Sequence, residues 1–440
     1  MDGLPESLRY GVSSMPVRMN RVKIVPIGTD TFNSGSGIMR FRLPERSLVR
    51  LNSASLTATA NITGMDTTAG NWANALFPSS YKYFRSVKFY VNGLLVSGGQ
   101  SNHYNQIYSA LGRATLGEDY CKANLLQNFV SELTQSDVVA SSLQVAPSAT
   151  TKSAFIVADN FLGLPRGNGS GDCVIDTSLF GGSLEIELIA DDASILQVAN
   201  AGNGVSTGID WNLTNCRFEV DVLTQVPSLY AQLLSVRIQN PEPIKFAFQN
   251  FISQIQLNNS SNRLQVNTGC MDMLMALPLN SNYTTRENLT SNVLQQNKFR
   301  FNSGFTTSTQ ATGRLQVQVG SVMYPQQPID NMLLVADYTQ NAFHHGSILA
   351  TNLLWHGITA GTEVYNYTAF LAENFVYTMP FSLQEGWASK ILSGVDTASQ
   401  STDIIISSQN FPANSYLLLV ALTTSVLSYD TQTGAVSVAY

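Results

Sequence analysis

The chain has 440 residues, more than one hydrophobic core usually supports, so its length predicts two domains of roughly 200 residues. Apolar residues make up 44% of the chain and charged residues only 12%, about half the usual share. The formal net charge of -6 excludes a strongly basic protein dedicated to nucleic acid, which needs a cationic surface to release phosphate counterions. The polar surface must therefore be mostly neutral, which favours faces that pack against copies of the same chain.

Basic residues are concentrated near the N-terminus, where a third of the 24 fall within the first fifty positions. One interpretation is a weak contact of an N-terminal arm, residues 1–25, with genome or an internal membrane. The favoured interpretation is ordinary solvated strand faces. The opening residues lack a charged segment followed by an apolar one, so we expect a protein that is not secreted. These basic residues are Arg9, Arg18, Arg21, Lys23, Arg40, Arg42, Arg46 and Arg50.

Apolar and polar side chains alternate at two-residue spacing in many segments. On a strand this spacing places apolar side chains on one face and polar ones on the other, and each segment predicts a half-buried antiparallel strand. Many such segments between Gly, Asn, Pro and Ser turns predict an all-β sandwich or barrel. The clearest apolar triplets are Met39, Phe41 and Leu43; Leu184, Ile186 and Leu188; Phe218, Val220 and Val222; and Leu315, Val317 and Val319.

Helical spacing is rare and local. Two stripes predict short helices inserted in a strand-to-strand connection: Tyr104, Ile107, Tyr108 and Leu111, and then Leu125, Leu126, Phe129, Val130 and Leu133. The longest apolar run, Tyr416 to Leu422, fits a buried strand and is too short for a bilayer helix.

A stiff boundary divides the chain almost in half. Asn240-Pro241-Glu242-Pro243 contains two prolines, which remove backbone donors and restrict the chain. We therefore predict an arm over residues 1–25, a first domain over 26–239 and a second over 240–440.

The two halves also resemble each other in sequence. AFIVADNFLGLP from Ala154 matches AFLAENFVYTMP from Ala369, and two further matches follow the same order at offsets of about 214 to 229 residues. We predict a duplicated domain. The further matches are Asp176-Thr177 with Asp396-Thr397, and Arg85 with Arg314.

Motifs that carry chemistry are missing from the sequence. It has no phosphate-binding GxxxxGK loop, no GxGxxG, no HExxH and no EF-hand loop. A GxSxG match at 204–208 follows a polar stretch instead of the buried strand that a nucleophilic serine needs. Four histidines leave little for a metal site, and we expect His103 and His356 to be packed or surface residues.

The paired Asp176-Thr-Ser and Asp396-Thr-Ala segments invite comparison with aspartic proteases, which place one Asp-Thr-Gly in each half of a duplicated β fold. Both copies here lack the glycine, so a turn residue before a strand is the favoured interpretation. The sequence therefore predicts no catalytic, cofactor-binding or metal-binding residues, and no enzyme.

The cysteines are widely spaced and form no CxxC pair. Cys121, Cys173, Cys216 and Cys270 are expected to be reduced, packed thiols in an intracellular protein.

Two segments, residues 41–64 and 164–196, with the helix-bearing stretch between them, resemble the first jelly roll of double jelly-roll major capsid proteins. These proteins form the shells of tailless double-stranded DNA viruses, and the likeness is greatest to those of polinton-like viruses and virophages. The resemblance covers the order of elements across most of the chain.

The resemblance implies two tandem eight-stranded antiparallel jelly-roll β-sandwiches with short helices in the connecting loops. It implies a homotrimer of pseudo-hexagonal outline that tiles an icosahedral shell and contacts neighbouring capsomers, penton proteins and minor capsid proteins. The chain would be located in the virion, with its N-terminal arm towards the genome, and would bind no small-molecule substrate or cofactor.

Two other classes of protein stay open. A viral attachment or carbohydrate-binding β-sandwich protein would cluster aromatic side chains in its loops, whereas Trp72, Trp211, Trp355 and Trp387 are scattered. An enzyme would bring titratable residues together, and the motifs give no sign of it. A capsid subunit is the favoured prediction.

Overall fold

A computed structural model describes most of the chain. The described residues are 18–64, 73–76, 80–97, 102–115, 151–159, 174–177, 183–200, 209–223, 239, 243–285, 287–288, 297–344, 356–359, 362–365, 367–381, 394–398, 403–411, 415–430 and 432–439. We call the described residues up to 223 the first half and those from 243 onward the second half.

The first half forms two antiparallel sheets. One has the strand order β1-β12-β4-β8, with β2 and β9 also paired to it, and the other has the order β3-β10-β6-β7. The strands are β1 Met19–Ile24, β2 Phe32–Asn33, β3 Ile38–Arg42, β4 Leu48–Thr63, β5 Ala73–Leu76, β6 Phe84–Val91, β7 Leu94–Ser97, β8 Thr151–Asp159, β9 Val174–Asp176, β10 Leu184–Ala190, β11 Gln197–Asn200 and β12 Asp210–Leu223.

The second half repeats this arrangement. Its sheets have the orders β13-β23-β15-β21 and β14-β22-β17-β18, with β24 also paired to β23. The strands are β13 Ile244–Leu257, β14 Ser261–Gln265, β15 Met271–Leu279, β16 Glu287–Asn288, β17 Arg314–Val319, β18 Val322–Ile329, β19 His356–Thr359, β20 Thr362–Tyr365, β21 Tyr377–Pro380, β22 Asp403–Gln409, β23 Tyr416–Tyr429 and β24 Val436–Ala439.

The two halves therefore have the same topology. In each, the first and last long strands pair next to each other in one four-strand path, and the second and second-last pair in the other. Eight strands in two facing sheets with this order form a jelly roll. The fold class predicted from the sequence, two tandem all-β jelly rolls, is confirmed.

The cores form as the alternation predicted. All four predicted triplets lie on or directly next to strands, and their apolar members are buried. Phe41 of one sheet and Phe218 of the other have ring centroids 5.5 Å apart, so the two inner faces interlock. The predicted buried strand at Tyr416–Leu422 forms the start of β23.

Within the described ranges, three α-helices connect the strands: α1 Tyr104–Thr115, α2 Met332–His344 and α3 Tyr367–Glu373. Short 3-10 helices span Ser80–Tyr83, Ala193–Ile195, Asn297–Phe299 and Gln310–Thr312. The first predicted helical stripe is confirmed as α1, whereas the second, at residues 125–133, lies outside the described residues. No helix in the described ranges combines the length and hydropathy that crossing a bilayer requires.

One sequence match between the halves is wrong as a structural alignment. Residues 154–159 lie in strand β8, whereas the matched residues 369–373 lie in helix α3. Strand β8 pairs along nine consecutive residues with the long strand β4. Phe370 and Leu371 of α3 instead pack into the second core. Similar apolar segments therefore form a strand in one half and a helix in the other.

The predicted N-terminal arm, residues 1–25, also needs correction. Met19–Ile24 form strand β1 and pair with β12 over their whole length, so this part of the arm belongs to the first jelly roll. The alternation of Val22 and Ile24 towards the core with basic residues outward explains this placement. Residues 1–17 lie outside the described part of the chain.

Candidate functional site at the junction of the two halves

Helix α1 connects the two halves through their cores. It follows β7 of the first half, and Tyr104 at its start packs into the first core. Ile107, Ala110, Leu111 and Ala114 pack into the second core, together with residues of β15 and β23. The second core is therefore completed by side chains that the first half supplies.

Arg113 fixes the far end of α1 to the second half. Its guanidinium belongs to a side chain that is 2% exposed. One terminal nitrogen donates to Oδ1 of Asn374 at 3.0 Å, and the other donates to the carbonyl oxygen of Phe299 at 2.8 Å and to Oγ of Ser109 at 2.9 Å. Its Cζ also lies 5.3 Å from the centroid of the Phe301 ring. A buried cation with this many partners fixes one relative placement of the halves.

A buried ion pair forms a second link across the junction. Nζ of Lys298, in the second half, lies 2.6 Å from Oδ1 of Asp191, which follows β10 of the first half. Both side chains are nearly buried, at 12% and 5% exposure. Gln106 of α1 adds a hydrogen bond from Nε2 to the carbonyl oxygen of Lys298 at 2.9 Å.

The charge of Lys298 also acts on its neighbours. Although burial opposes it, Lys298 and hydrogen bonds from Ser194 hold the pKa of Asp192 below its ordinary value. His103, directly before α1, has Nδ1 2.9 Å from Oγ of Ser253 in strand β13. Burial, and then the charge of Lys298, lowers the pKa of His103 to about 4, so this imidazole is neutral at physiological pH.

Backbone pairing continues the junction. Strand β11 of the first half pairs in parallel with β16 of the second, in a small sheet that also contains β5. Leu427 and Tyr429 at the end of β23 pack into the first core. The halves therefore exchange apolar side chains in both directions and share one sheet, which makes the junction a continuation of the two cores.

The paired Asp-Thr segments occupy equivalent places in the two halves. Thr177 accepts a hydrogen bond at Oγ1 from the backbone nitrogen of Ser47 at 2.8 Å, and its own nitrogen donates to the Ser47 carbonyl at 2.9 Å. Thr397 does the same with Thr268, at 3.2 and 2.9 Å. We call these two contacts the threonine bridges. Each ties the segment before a strand of the smaller sheet to the start of a strand of the larger one.

The predicted turn role is found for Asp396 but not for Asp176, which ends strand β9. Oδ1 of Asp396 accepts from the nitrogen of Ala398 at 2.9 Å, an Asx-type turn. Asp176 lies in β9 against β4 and is 7% exposed. The buried threonines, instead of the carboxylates, carry the hydrogen bonds that the two halves share.

Arg21, Arg40 and Arg42 lie on solvated strand faces, as the favoured interpretation predicted, whereas Arg9 lies outside the described residues. Nε of Arg21 lies 2.8 Å from Glu219, and Nη2 of Arg42 lies 2.9 Å from Glu185, each across a strand pair. Although burial opposes it, hydrogen bonds from Arg21 and Lys23 hold the pKa of Glu219 below its ordinary value. These side chains are matched by carboxylates of the same sheet.

The described residues contain no cluster of three or more side chains able to hold a metal ion. Cys216 and Cys270 are buried free thiols, and burial raises their pKa values to about 12 and about 11, so both stay protonated. Cys121, Cys173 and the GxSxG match at 204–208 lie outside the described residues. The contacts at the junction are structural: they hold the two jelly rolls in one position relative to each other.

Sequence reasoning did not identify Arg113, Lys298 or Asp191 as junction residues. One signal was available in α1, whose polar positions are neutral apart from Arg113. A helix without a charged face is typically covered on all sides, so a single arginine within it indicates a buried, hydrogen-bonded cation.

Among the comparisons with known proteins, the one with solved structures finds chains of the same fold. No protein-family model matches the chain, and no curated protein matches its sequence. The PBCV-1 virus capsid matches with a TM-score of 0.58 and 9% identity over 97% of this chain and 98% of that chain. The Faustovirus major capsid protein gives 0.57 and 10% over 94% and 90%. The Sputnik virophage structure gives 0.56 and 13% over 96% and 88%.

These identities are low, so the likeness concerns the three-dimensional fold. It extends over nearly the whole length of each chain and includes both jelly rolls with their junction. The chain therefore has the double jelly-roll fold that is found in major capsid proteins of PBCV-1, Sputnik and Faustovirus.

Proposed function

We propose that this chain is a major capsid protein that forms the shell of a virus particle. The observation that carries the proposal is the fold match over 97% of this chain and 98% of the PBCV-1 capsid chain. The described motif residues have structural contacts that agree with it: Cys216 and Cys270 are packed thiols, and Thr177 and Thr397 form the threonine bridges. The chain works as a scaffold and not as an enzyme, and its place is the virion.

The functional unit is a homotrimer of pseudo-hexagonal outline. Three chains with two similar jelly rolls each present six similar units around one axis, which suits a closed symmetric ring. The low charge of 12% Asp, Glu, Lys and Arg lets such units approach without strong repulsion. The jelly rolls span residues 26–239 and 240–440 together with β1. Neighbouring trimers, penton proteins and minor capsid proteins are the partners, and residues before β1 face the genome or an internal membrane.

Size-exclusion chromatography with light scattering, followed by negative-stain imaging of the purified full chain, tests this function. We expect a species of three chains with a hexagonal outline, and closed shells or hexagonal arrays at higher concentration. A protein that stays monomeric under every assembly condition contradicts the proposal.

A further inference from the structure

Helices α1 and α2 occupy the same position in their two jelly rolls. Helix α1 follows β7, the last strand in the order β3-β10-β6-β7, and α2 follows β18, the last strand in the order β14-β22-β17-β18. Each also packs on its own half through its first residue, Tyr104 or Met332. The two helices can therefore be compared position by position.

Their surroundings differ at equivalent positions. Gln106 and Ala110, the third and seventh residues of α1, face the second half: Gln106 donates to the Lys298 carbonyl, and Ala110 lies in the second core with 1% exposure. The third and seventh residues of α2 are Leu334 and Tyr338, which are 47% and 36% exposed. Four residues apart, they lie on one face of the helix.

The opposite face of α2 is anchored within its own half. Val335 and Ala336 are buried in the second core, and Oγ1 of Thr339 donates to the carbonyl oxygen of Val376 at 2.5 Å. The exposed face therefore presents Leu334 and Tyr338, with the exposed Asp337 beside them, from a rigid support. The corresponding face of α1 is covered by the next jelly roll of the same chain.

We propose that Leu334 and Tyr338 dock on the first half of another copy of this chain. The contact repeats, between chains, the one that α1 makes with the second half within a chain. This inference rests on the proposed function. In a ring of three copies, first and second halves alternate, so each second half lies next to the first half of the following copy. In such a ring each jelly roll extends its helix towards the next, and the contact is head-to-tail.

A double substitution, L334D and Y338D, tests the contact in the full chain. Two carboxylates on this face cannot be buried against an apolar surface, so we expect the three-chain species to be replaced by monomer in light scattering. The matched control is V322D and M323D, which adds the same charges to two side chains of β18 that are 50% and 41% exposed. We expect the control to remain trimeric and both variants to keep the wild-type far-ultraviolet circular dichroism spectrum, which reports folding of the chain independently of its assembly.

A photo-crosslinking residue in place of Tyr338 gives an independent measurement. We expect crosslinks between chains, with the attached peptides coming from the first half. A wild-type trimer that survives L334D and Y338D, or crosslinks that reach only second-half peptides, would overturn this inference and leave the proposed function intact. A wild-type chain that is itself monomeric would count against the proposed function instead.

Discussion

The two jelly rolls share a topology and differ in the chemistry of their outer faces. In the first half, ion pairs cross neighbouring strands at Arg21 and Glu219, Arg40 and Glu187, and Arg42 and Glu185. In the second half, β14 and β22 carry a looser cross-strand pair, Arg263 and Asp403 at 3.7 Å, and β17 places the neutral Gln316 and Gln318 between its buried positions. Both halves reach the same strand order with different outward side chains. The inward apolar alternation therefore determines the fold, and the outward polar residues do not.

A second difference lies in the helices after the smaller sheets. The helix of the first half is enclosed by the second half and contains a buried arginine, whereas the helix of the second half keeps an exposed face. Two jelly rolls of the same topology therefore differ where they meet.

The largest expected effect on stability is that of Arg113→Ala, which tests the junction contact that only the helix of the first half makes. The change removes a buried cation and leaves the Asn374 side chain and the Phe299 carbonyl without these donors, so we expect a loss of about 3 to 5 kcal/mol in the free energy of unfolding. Urea unfolding followed by tryptophan fluorescence measures it. The matched control is Arg42→Ala on an outer face, with an expected loss of at most about 1 kcal/mol. Equal losses for the two variants would mean that Arg113 does not hold the junction.

The junction should also respond to pH through His103. Its folded pKa of about 4 lies below the ordinary value of 6.5, so the unfolded chain binds more protons between these values. Stability is therefore fully present above about pH 6.5 and declines as pH falls towards 4, by up to about 3 kcal/mol.

Unfolding free energies of wild type and His103→Gln across this range measure that contribution. Glutamine does not titrate but can still hydrogen-bond to Ser253, so the variant should lose less stability on acidification. Carboxylates such as Glu219 titrate in both proteins and cancel in the difference. Parallel pH curves for the two proteins would contradict the role of His103.

Removing each threonine bridge in turn tests whether the two halves depend on it equally for stability. Thr177→Val and Thr397→Val keep the side-chain volume and leave the backbone nitrogens of Ser47, which is half-buried, and Thr268, which is buried, without these acceptors, so each should cost about 1 to 3 kcal/mol. Because the bridges belong to different jelly rolls, the double variant should lose the sum of the two. Thermal and urea unfolding provide the values, and Thr306→Val, at an exposed turn, serves as the control. A large loss at one bridge only would show that the second copy no longer needs it.

Sequence reasoning predicted the parts that depend on local periodicity. The strand containing Leu184, Ile186 and Leu188 follows from two-residue alternation, and helix α1 follows from apolar residues three and four positions apart. Helix α2 was not predicted, because it begins with the continuous apolar run Met332–Val335, which has no clear period. The apolar match between residues 154–159 and 369–373 was mistaken for structural equivalence, because a short apolar segment can form a strand or a helix according to its neighbours.

The junction could not be predicted, for a different reason. Arg113 and Asn374 are 261 residues apart in the chain, and nothing local marks either as the partner of the other. Their contact exists only because two cores come together, and one sequence contains no record of that distance. The resemblance to double jelly-roll capsid proteins supplied the global arrangement that the local patterns lacked.

The smallest expected effect concerns the outer ion pairs, and it bears directly on the difference between the halves. Replacing Arg42 and Glu185 together by glutamine removes one of these ion pairs and gives β3 and β10 neutral outward side chains like those of Gln316 and Gln318 in β17. Arg42 is 53% exposed and Glu185 20%, so their attraction is screened by water, and the change in unfolding free energy should stay below about 1 kcal/mol. Urea unfolding at low and high salt measures it, with wild type as reference. A loss comparable to that of Arg113→Ala would mean that the charged ladder, and not the apolar alternation alone, holds the first jelly roll together.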